Sequence, residues 1–537
     1  MEEQPQLSQA KKKRKKTDFS ETRIAGIIFA LVALVILILP VALWSLQPYH
    51  KLNVWILDKT VPTQEYREHR GAMWALNYYR ITDKNIDHTH YRYNRDYYGF
   101  YPLSSKDFSI RDLVYAPPNP DLILIADTYG VYEDDYWVPN KKGNRSTKIY
   151  GGLTQEDLFM IQSNLKDQAT LVSSFNTFNQ PTDEKTRKQY EKVLGVEWKR
   201  WMGRFFIDLE KGKEVAVWMV DNWEQQHDAT WTFTGPGFVL CSDWDQVEVL
   251  EEGVHFENGK DISFQFLSPY SEEYRSESQI SYYYWFDFIQ PMEGTEVLAE
   301  YTMEVTQEGQ AMLTSLGLNS IFPAITKKVT PDYTAYYLAG DFEDHKTSSF
   351  LWHVYGLDTI RKWFSLDFRG EAYEYYWRGY LPFMKKVLQD VVTKRENYIP
   401  PKKQIAAEVG KDGITRVSKT DQKKLKVFTD SSWEEYFVKG INMGMALPGH
   451  WFTEFPKDDN VYFSWFEQIG EMNANTIRVY TLMDPSFYRA LYLYNIENPQ
   501  KPLHLLQGIW PEEHPPQEDY WGEQYMESFV KEIHWGV

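Results

Sequence analysis

Lys439-Gly440-Ile441-Asn442, Ala474-Asn475-Thr476-Ile477-Arg478-Val479-Tyr480 and Pro502-Leu503-His504-Leu505-Leu506-Gln507-Gly508-Ile509-Trp510 are three short apolar runs separated by stretches of helical periodicity. Tyr462 to Met472 places Phe463, Phe466, Ile469 and Gly470 on one helical face, and Pro485 to Asn495 opens with a proline suited to a first helical turn. Strand, helix, strand, helix, strand with short connections predicts adjacent parallel strands, as at the opening of a (β/α)8 barrel. A further helix is expected over Glu523–His534. Residues 427–537 therefore read as a partial barrel, roughly 100 residues where a complete one takes about 250.

Upstream, residues 50–398 alternate in the same way. Val54-Trp55-Ile56-Leu57, Asp121 to Asp127 and Thr170 to Phe175 are compact apolar runs of strand length, and Gly237–Cys241 and Ala335–Ala339 are further candidates. Between them, Thr63–Tyr79 carries Tyr66, Ala72, Met73, Leu76 and Tyr79 on helical spacing, and residues 183–194 form a polar helix. Thr154-Gln155-Glu156-Asp157 is a capping box opening a helix through Leu158, Ile161 and Leu165. The pattern predicts an α/β domain with a mainly parallel sheet, with aromatic helices over 346–398 packed on it. Asp127, Thr128 and Tyr129 follow a buried strand at its carboxyl end, where open α/β sheets hold ligands. Residues 399–426, with Pro400-Pro401-Lys402-Lys403 near the start, read as a linker or a weakly packed hairpin.

At the other end, Lys11-Lys12-Lys13-Arg14-Lys15-Lys16 precedes an apolar run from Ile24 to Trp44. As a helix this run covers about 30 Å, the thickness of bilayer hydrocarbon. The run exceeds the core of a cleavable signal, and Val41-Ala42-Leu43-Trp44-Ser45 has no small-x-small site, so residues 24–46 are expected to be an uncleaved transmembrane helix. The basic tail, residues 1–23, is then cytoplasmic and the body extracellular in a single-pass cell-membrane protein.

Composition narrows the partners. The chain has 537 residues with 58 basic and 76 acidic side chains; the first 23 residues carry +3 and the remainder −21. So acidic a body repels polyphosphate, which argues against nucleic acid. Cys241 is the sole cysteine, so an internal disulfide and a cysteine-based zinc site are excluded. An extracellular body with one cysteine suits a Gram-positive bacterium. Aromatic residues make up 16% of the chain, which fits either large aromatic cores or surfaces that stack on sugar rings. No Gly-rich phosphate loop or His-x-x-x-His pair points to a cofactor, and none is expected.

Two resemblances sharpen the picture. The strand order of the first domain resembles the glutamine-amidotransferase-like, flavodoxin-type domains, but its strand-to-helix turn, Ser174-Phe175-Asn176-Thr177-Phe178, lacks the nucleophilic cysteine of that chemistry. The C-terminal phrases Lys439-Gly440-Ile441-Asn442 and Ala474-Asn475-Thr476-Ile477-Arg478-Val479-Tyr480 resemble the first two strands of the glycosidase barrels of family 2 glycoside hydrolases and β-glucanosyltransferases. That resemblance implies that Arg478 orients a carboxylate at the catalytic rim. Asn442, His450, Trp451 and Tyr480 would lie on the same rim and contact sugar. It also implies that the two catalytic carboxylates belong to the fourth and seventh strands, past Val537, while Glu512 and Glu513 are solvated loop acids and His504 a strand histidine. Two expectations follow. The first is a membrane-anchored, glycosidase-like protein acting on cell-surface polysaccharide, truncated and inactive as given, its barrel completed by further sequence or a partner chain. The second is a non-catalytic glycan-binding or scaffold protein of a polysaccharide synthesis or export system.

Overall fold

Why the first domain folds as it does is clearest in the five parallel strands at its centre. β1 (Val54–Asp58), β2 (Tyr98–Ser104), β3 (Leu122–Asp127), β4 (Ala169–Ser173) and β5 (Tyr333–Leu338) form the parallel centre of a ten-stranded sheet in a computed structural model of the chain. The structure describes residues 24–536 apart from 33, 37, 85–89, 139, 141, 277–278, 345–352, 366–372, 398–407, 411–414, 417, 430–431, 445–446, 448, 452–453, 458, 499–500, 511–513 and 516–517. The basic cluster at 11–16, the opening of the expected linker and Glu512-Glu513 lie outside the described residues. Two units are present, residues 1–398 and 399–537.

In the first unit the order across the sheet is β2-β1-β3-β4-β5, every neighbour parallel. Every residue of β1, β3 and β4 is buried, as a strand covered on both faces requires. The order 2-1-3-4-5 is that of flavodoxin-like sheets, and it reverses between β1 and β3. Antiparallel strands extend both edges: Asp107–Arg111 beside β2, and beyond β5 the strands Ile321–Val329, Thr295–Met303, Ile262–Phe266 and Ile280–Tyr282. The sheet is therefore mixed rather than mainly parallel. An apolar run of five or six residues has the same signature in either direction, so the antiparallel half was not distinguishable in sequence.

The long connection from β4 to β5 carries a second sheet, four-stranded and antiparallel, from Val196–Phe206, Gly237–Ser242, Val247–Glu251 and Phe286–Pro291. Gly237–Cys241, expected in the main sheet, belongs here. The predicted capping box is present, with Thr154 accepting from the Asp157 N–H and Asp157 accepting from the Thr154 N–H at 2.8 Å. The expected helix over 63–79 is shorter, Arg70–Tyr78, because Tyr66 takes a left-handed conformation (φ 50°) that a right-handed helix cannot include. Its second residue, Gly71, leaves no room for a β-carbon: one built there would lie 2.6 Å from the Glu343 carbonyl oxygen. The close approach lets the Gly71 N–H donate to that carbonyl at 3.0 Å, tying the segment after β5 to the helix. The helices Leu357–Phe364 and Leu381–Asn397 fall in the stretch read as helical and aromatic.

An apolar helix, Ile24–Ser45, precedes the sheet; by length and composition it is able to cross a membrane.

In the second unit, Gly440–Asn442, Thr476–Val479 and His504–Gln507 are parallel neighbours in chain order. They are joined by the helices Asp459–Glu471 and Pro485–Glu497, giving the expected β-α-β-α-β, and Glu523–Gly536 follows as a helix. Tyr462, Phe466, Ile477, Val479, Phe487 and Ala490 form the core between sheet and helices. Asp484 caps the second helix with Pro485 in its first turn. Arg489 grips Asp459 through two bonds of 2.9 and 3.1 Å, clamping the helices together. Part of the stretch read as a linker is a hairpin, Ser418–Asp421 with Lys424–Thr429, which Ser432–Glu435 extends to three strands.

Candidate functional site

Three of the five central strands of the first unit end in, or shortly before, an acid. Asp58 closes β1, Asp127 closes β3 in register with it, and Asp341, Glu343 and Asp344 follow β5. Parallel strands put these ends on one edge, and the order reversal between β1 and β3 opens a crevice there. A cavity of about 500 Å³ occupies it. Glu68, Asp127 and Asp341 lie in its wall, with Tyr66 and Tyr129 from the main sheet's loops. The insertion between β4 and β5 supplies the facing wall, including Trp218, from the helix Val217–His227, and Trp285.

The polar groups beneath the cavity are closely tied. Asp127 accepts from the Thr60 hydroxyl at 2.6 Å, the Tyr129 N–H at 2.6 Å and the Asn176 amide at 3.2 Å. Burial nevertheless pushes its pKa up to about 7. Asp58 accepts from the Thr60 N–H at 2.8 Å and meets His69 Nδ1 at 2.5 Å, with both side chains fully buried. The other ring nitrogen, Nε2, lies 2.9 Å from the Tyr93 carbonyl, which only accepts, so Nε2 carries a proton. Lys59, next in sequence, points elsewhere and donates to Asp157 at 2.5 Å and the Gly152 carbonyl at 3.0 Å.

At the cavity mouth Arg67 bridges Glu68 at 3.1 Å and Asp344 at 3.0 Å, and the Tyr284 hydroxyl donates to Asp344 at 2.8 Å. Burial raises Glu68 and Asp341 well above the carboxylate range, with the neighbouring carboxylates adding to the shift and Arg67 opposing it. Glu343 accepts from the Ser174 hydroxyl at 3.0 Å and is pushed up to about 8, chiefly by burial.

Like charges this close do not all ionise, so at neutral pH the edge presents carboxylic acids beside carboxylates. It thus offers hydrogen-bond donors and acceptors together, under aromatic faces. That suits an uncharged polyhydroxylated ligand and opposes a phosphorylated one. Among the described residues, no group of three or more His, Cys, Asp or Glu side chains is arranged to hold a metal.

The protonated acids have a measurable consequence. Asp127 and Asp287 are raised to about 7 and Glu343 to about 8, each chiefly by burial, from near 4 in an unfolded chain. The folded state then holds protons that the unfolded chain has released between those values. Their contribution is fully present at acid pH and is lost as pH rises through 7 to 8. Urea unfolding of the first unit is expected to show a higher midpoint at pH 5.5 than at pH 8, a difference on the order of a few kcal/mol. A midpoint that rises over this interval contradicts the burial of these groups.

The residues expected to contact sugar lie in the second unit. Arg478 and Asn442 are cross-strand partners, and the Arg478 guanidinium donates to the Asn442 side-chain oxygen at 3.4 Å. It lies 4.7 Å from the Tyr480 ring, which in turn meets Trp510 edge-on at 6.4 Å. Arg478, Asn442 and Tyr480 are thus brought together at the carboxyl ends of the parallel strands, all exposed. His450 instead pairs with Glu454 at 3.0 Å, and Trp451 projects into solvent. Of the cavity in the first unit, sequence reasoning singled out Asp127 and Tyr129 and passed over Asp58, Glu68, His69 and Asp341. The available signal was an acid at or just after successive apolar runs, in Leu57-Asp58, Ala126-Asp127 and Gly340-Asp341.

No protein-family model and no curated protein matches the sequence. Among solved structures, the chain is similar to a catalytic mutant of Gan42B, a GH42 beta-galactosidase from G. stearothermophilus, at 10% identity and a TM-score of 0.21, over 55% of this chain and 28% of that one. It is also similar to Agd3, a carbohydrate deacetylase, at 10% identity and a TM-score of 0.24, over 81% of this chain and 43% of that one. The chain spans less than half the length of either. Those two proteins act on carbohydrates; at these TM-scores the fold and chemistry of this chain rest on its own geometry.

Proposed function

We propose that this is a membrane-anchored, outward-facing protein that holds an uncharged saccharide in the cavity at the carboxyl edge of its first sheet. The observation that carries the reading is the joining, in one 500 Å³ cavity, of buried carboxyl groups with the rings of Tyr66, Tyr129, Trp218 and Trp285. Carboxyl groups bind vicinal hydroxyls and aromatic faces cover the apolar faces of a pyranose ring. A carboxyl group with a pKa near 7, as Asp127 has, is also in the protonation range of a general acid. Anchoring by Ile24–Ser45, with the basic tail cytoplasmic, belongs to the same proposal.

A second sugar-facing surface is favoured by the cluster of Arg478, Asn442, Tyr480 and Trp510 on the second unit. There we read the β-α-β-α-β unit as the opening of a glycosidase-type barrel. The experiment is a glycan array probed with the full chain in detergent. Neutral hexose or N-acetylhexosamine oligomers are expected to bind and phosphorylated sugars not to bind. A preference for phosphorylated or sulfated glycans contradicts the reading.

A further inference from the structure

The outer end of the apolar helix is fastened to the folded body. The Tyr355 N–H donates to the Pro40 carbonyl at 3.1 Å, and the Trp44 indole N–H to the Tyr78 carbonyl at 2.9 Å. Arg80 lies over the rings of Trp44 and Tyr49, at 4.4 and 3.4 Å, and donates to the Gln47 and Ser45 carbonyls. These contacts leave Pro40, Val41, Ala42 and Trp44 half-buried, whereas the described residues from Ile24 to Leu39 are exposed.

Length then becomes decisive. From Ile24 to Leu39 the helix covers about 24 Å at 1.5 Å per residue. Bilayer hydrocarbon is about 30 Å thick. If Ile24 marks one boundary, the body meets the helix roughly 6 Å before it would leave the hydrocarbon, so the body's surface at that depth faces lipid.

The segment beside Pro40 has the side chains for that position. Tyr355 is 50% exposed, and the helix Leu357–Phe364 exposes Ile360, Trp363 and Phe364 at 51%, 78% and 79%. On the same helix Arg361 lies over the Trp377 ring at 5.5 Å and Lys362 donates to the Arg275 carbonyl, so it is the rings that are left facing outward. Large rings exposed side by side are costly in water and favoured at headgroup depth.

We propose that the helix Leu357–Phe364 lies in the membrane interface as a second contact beside the spanning helix, its partner being the lipid surface. The inference rests on Ile24–Ser45 spanning the membrane. It fixes the body against the bilayer instead of leaving it on a flexible tether.

The test uses the full chain reconstituted in phosphatidylcholine–phosphatidylglycerol vesicles. Trp363→Cys or Trp244→Cys is labelled with a polarity-sensitive nitrobenzoxadiazole probe; the natural Cys241 is buried, and Trp244 is an exposed reference position. Brominated lipid is expected to lower emission from position 363 about twofold and to leave position 244 unchanged. Vesicles that carry the chain on flotation but show a water-like, unquenched probe at 363 overturn this proposal alone. A chain that fails to float with the vesicles overturns the spanning reading and the proposal together.

Discussion

His69→Ala is expected to destabilise the first unit by about 2–5 kcal/mol, because it leaves a fully buried polar group without its partner and opens a cavity. Asp58 and His69 are both fully buried, at 2.5 Å from one another. Truncation strands the Asp58 side chain at the carboxyl end of β1, where, among the described residues, the Thr60 N–H is its remaining hydrogen-bond partner. It also removes the ring that stacks on Tyr97 at 4.5 Å. Asp58→Asn should cost less, about 1 kcal/mol, because every hydrogen bond has a replacement. The amide can donate to Nδ1 of a neutral imidazole whose Nε2 proton stays on the Tyr93 carbonyl, and its oxygen can still accept from Thr60. Denaturant unfolding of both variants measures the difference. Equal losses for the two would contradict a buried hydrogen bond that the amide can replace.

Trp218→Ala is expected to weaken saccharide binding tenfold to a hundredfold, about 1.5–3 kcal/mol, and to cost about 1–3 kcal/mol of stability through lost packing. The indole stands in the cavity wall on the insertion helix, half-buried, with the Arg145 guanidinium 4.4 Å from its ring. Arg145 is held in turn by Asp245, and the ring also packs against the hydrophobic cluster that includes Met219, Val239 and Cys241. Its removal therefore opens the cavity wall and also gives up packing against that cluster. Trp218→Phe should recover most of the affinity, since a flat apolar face is what a pyranose needs. Titration calorimetry with an oligosaccharide bound by the parent chain reads both variants.

Much of the fold was legible because its strands are short, wholly apolar and separated by helices with clear caps. Leu122–Asp127, the Thr154 capping box and the β-α-β-α-β of the second unit are local patterns, and local patterns are written in consecutive residues. The second sheet was not legible. Val196–Phe206 is half polar along its length, and its pairing with Phe286–Pro291 joins segments some ninety residues apart. The cavity was legible only in part for the same reason. Asp127 follows an unmistakable strand, but Glu68 and His69 sit just before a helix, and Asp341 becomes a neighbour only through strand order. Acids at or just after apolar runs marked Asp58, Asp127 and Asp341, but nothing local placed Glu68 and His69 at the same edge. Arg478 and Asn442, by contrast, were read on adjacent strands, and they are cross-strand partners 3.4 Å apart.

The most direct measurement is to locate a bound glycan on the chain by photo-crosslinking. A diazirine-bearing neutral oligosaccharide chosen from the array is irradiated with the full-length protein, and the modified peptides are mapped by mass spectrometry. Adducts that an excess of unmodified glycan abolishes should fall on Tyr66 to Glu68, Tyr129, Trp218 and Trp285. Competable adducts confined to residues 440–510, with none on those segments, would place the ligand on the second unit and contradict a saccharide site at the carboxyl edge of the first sheet.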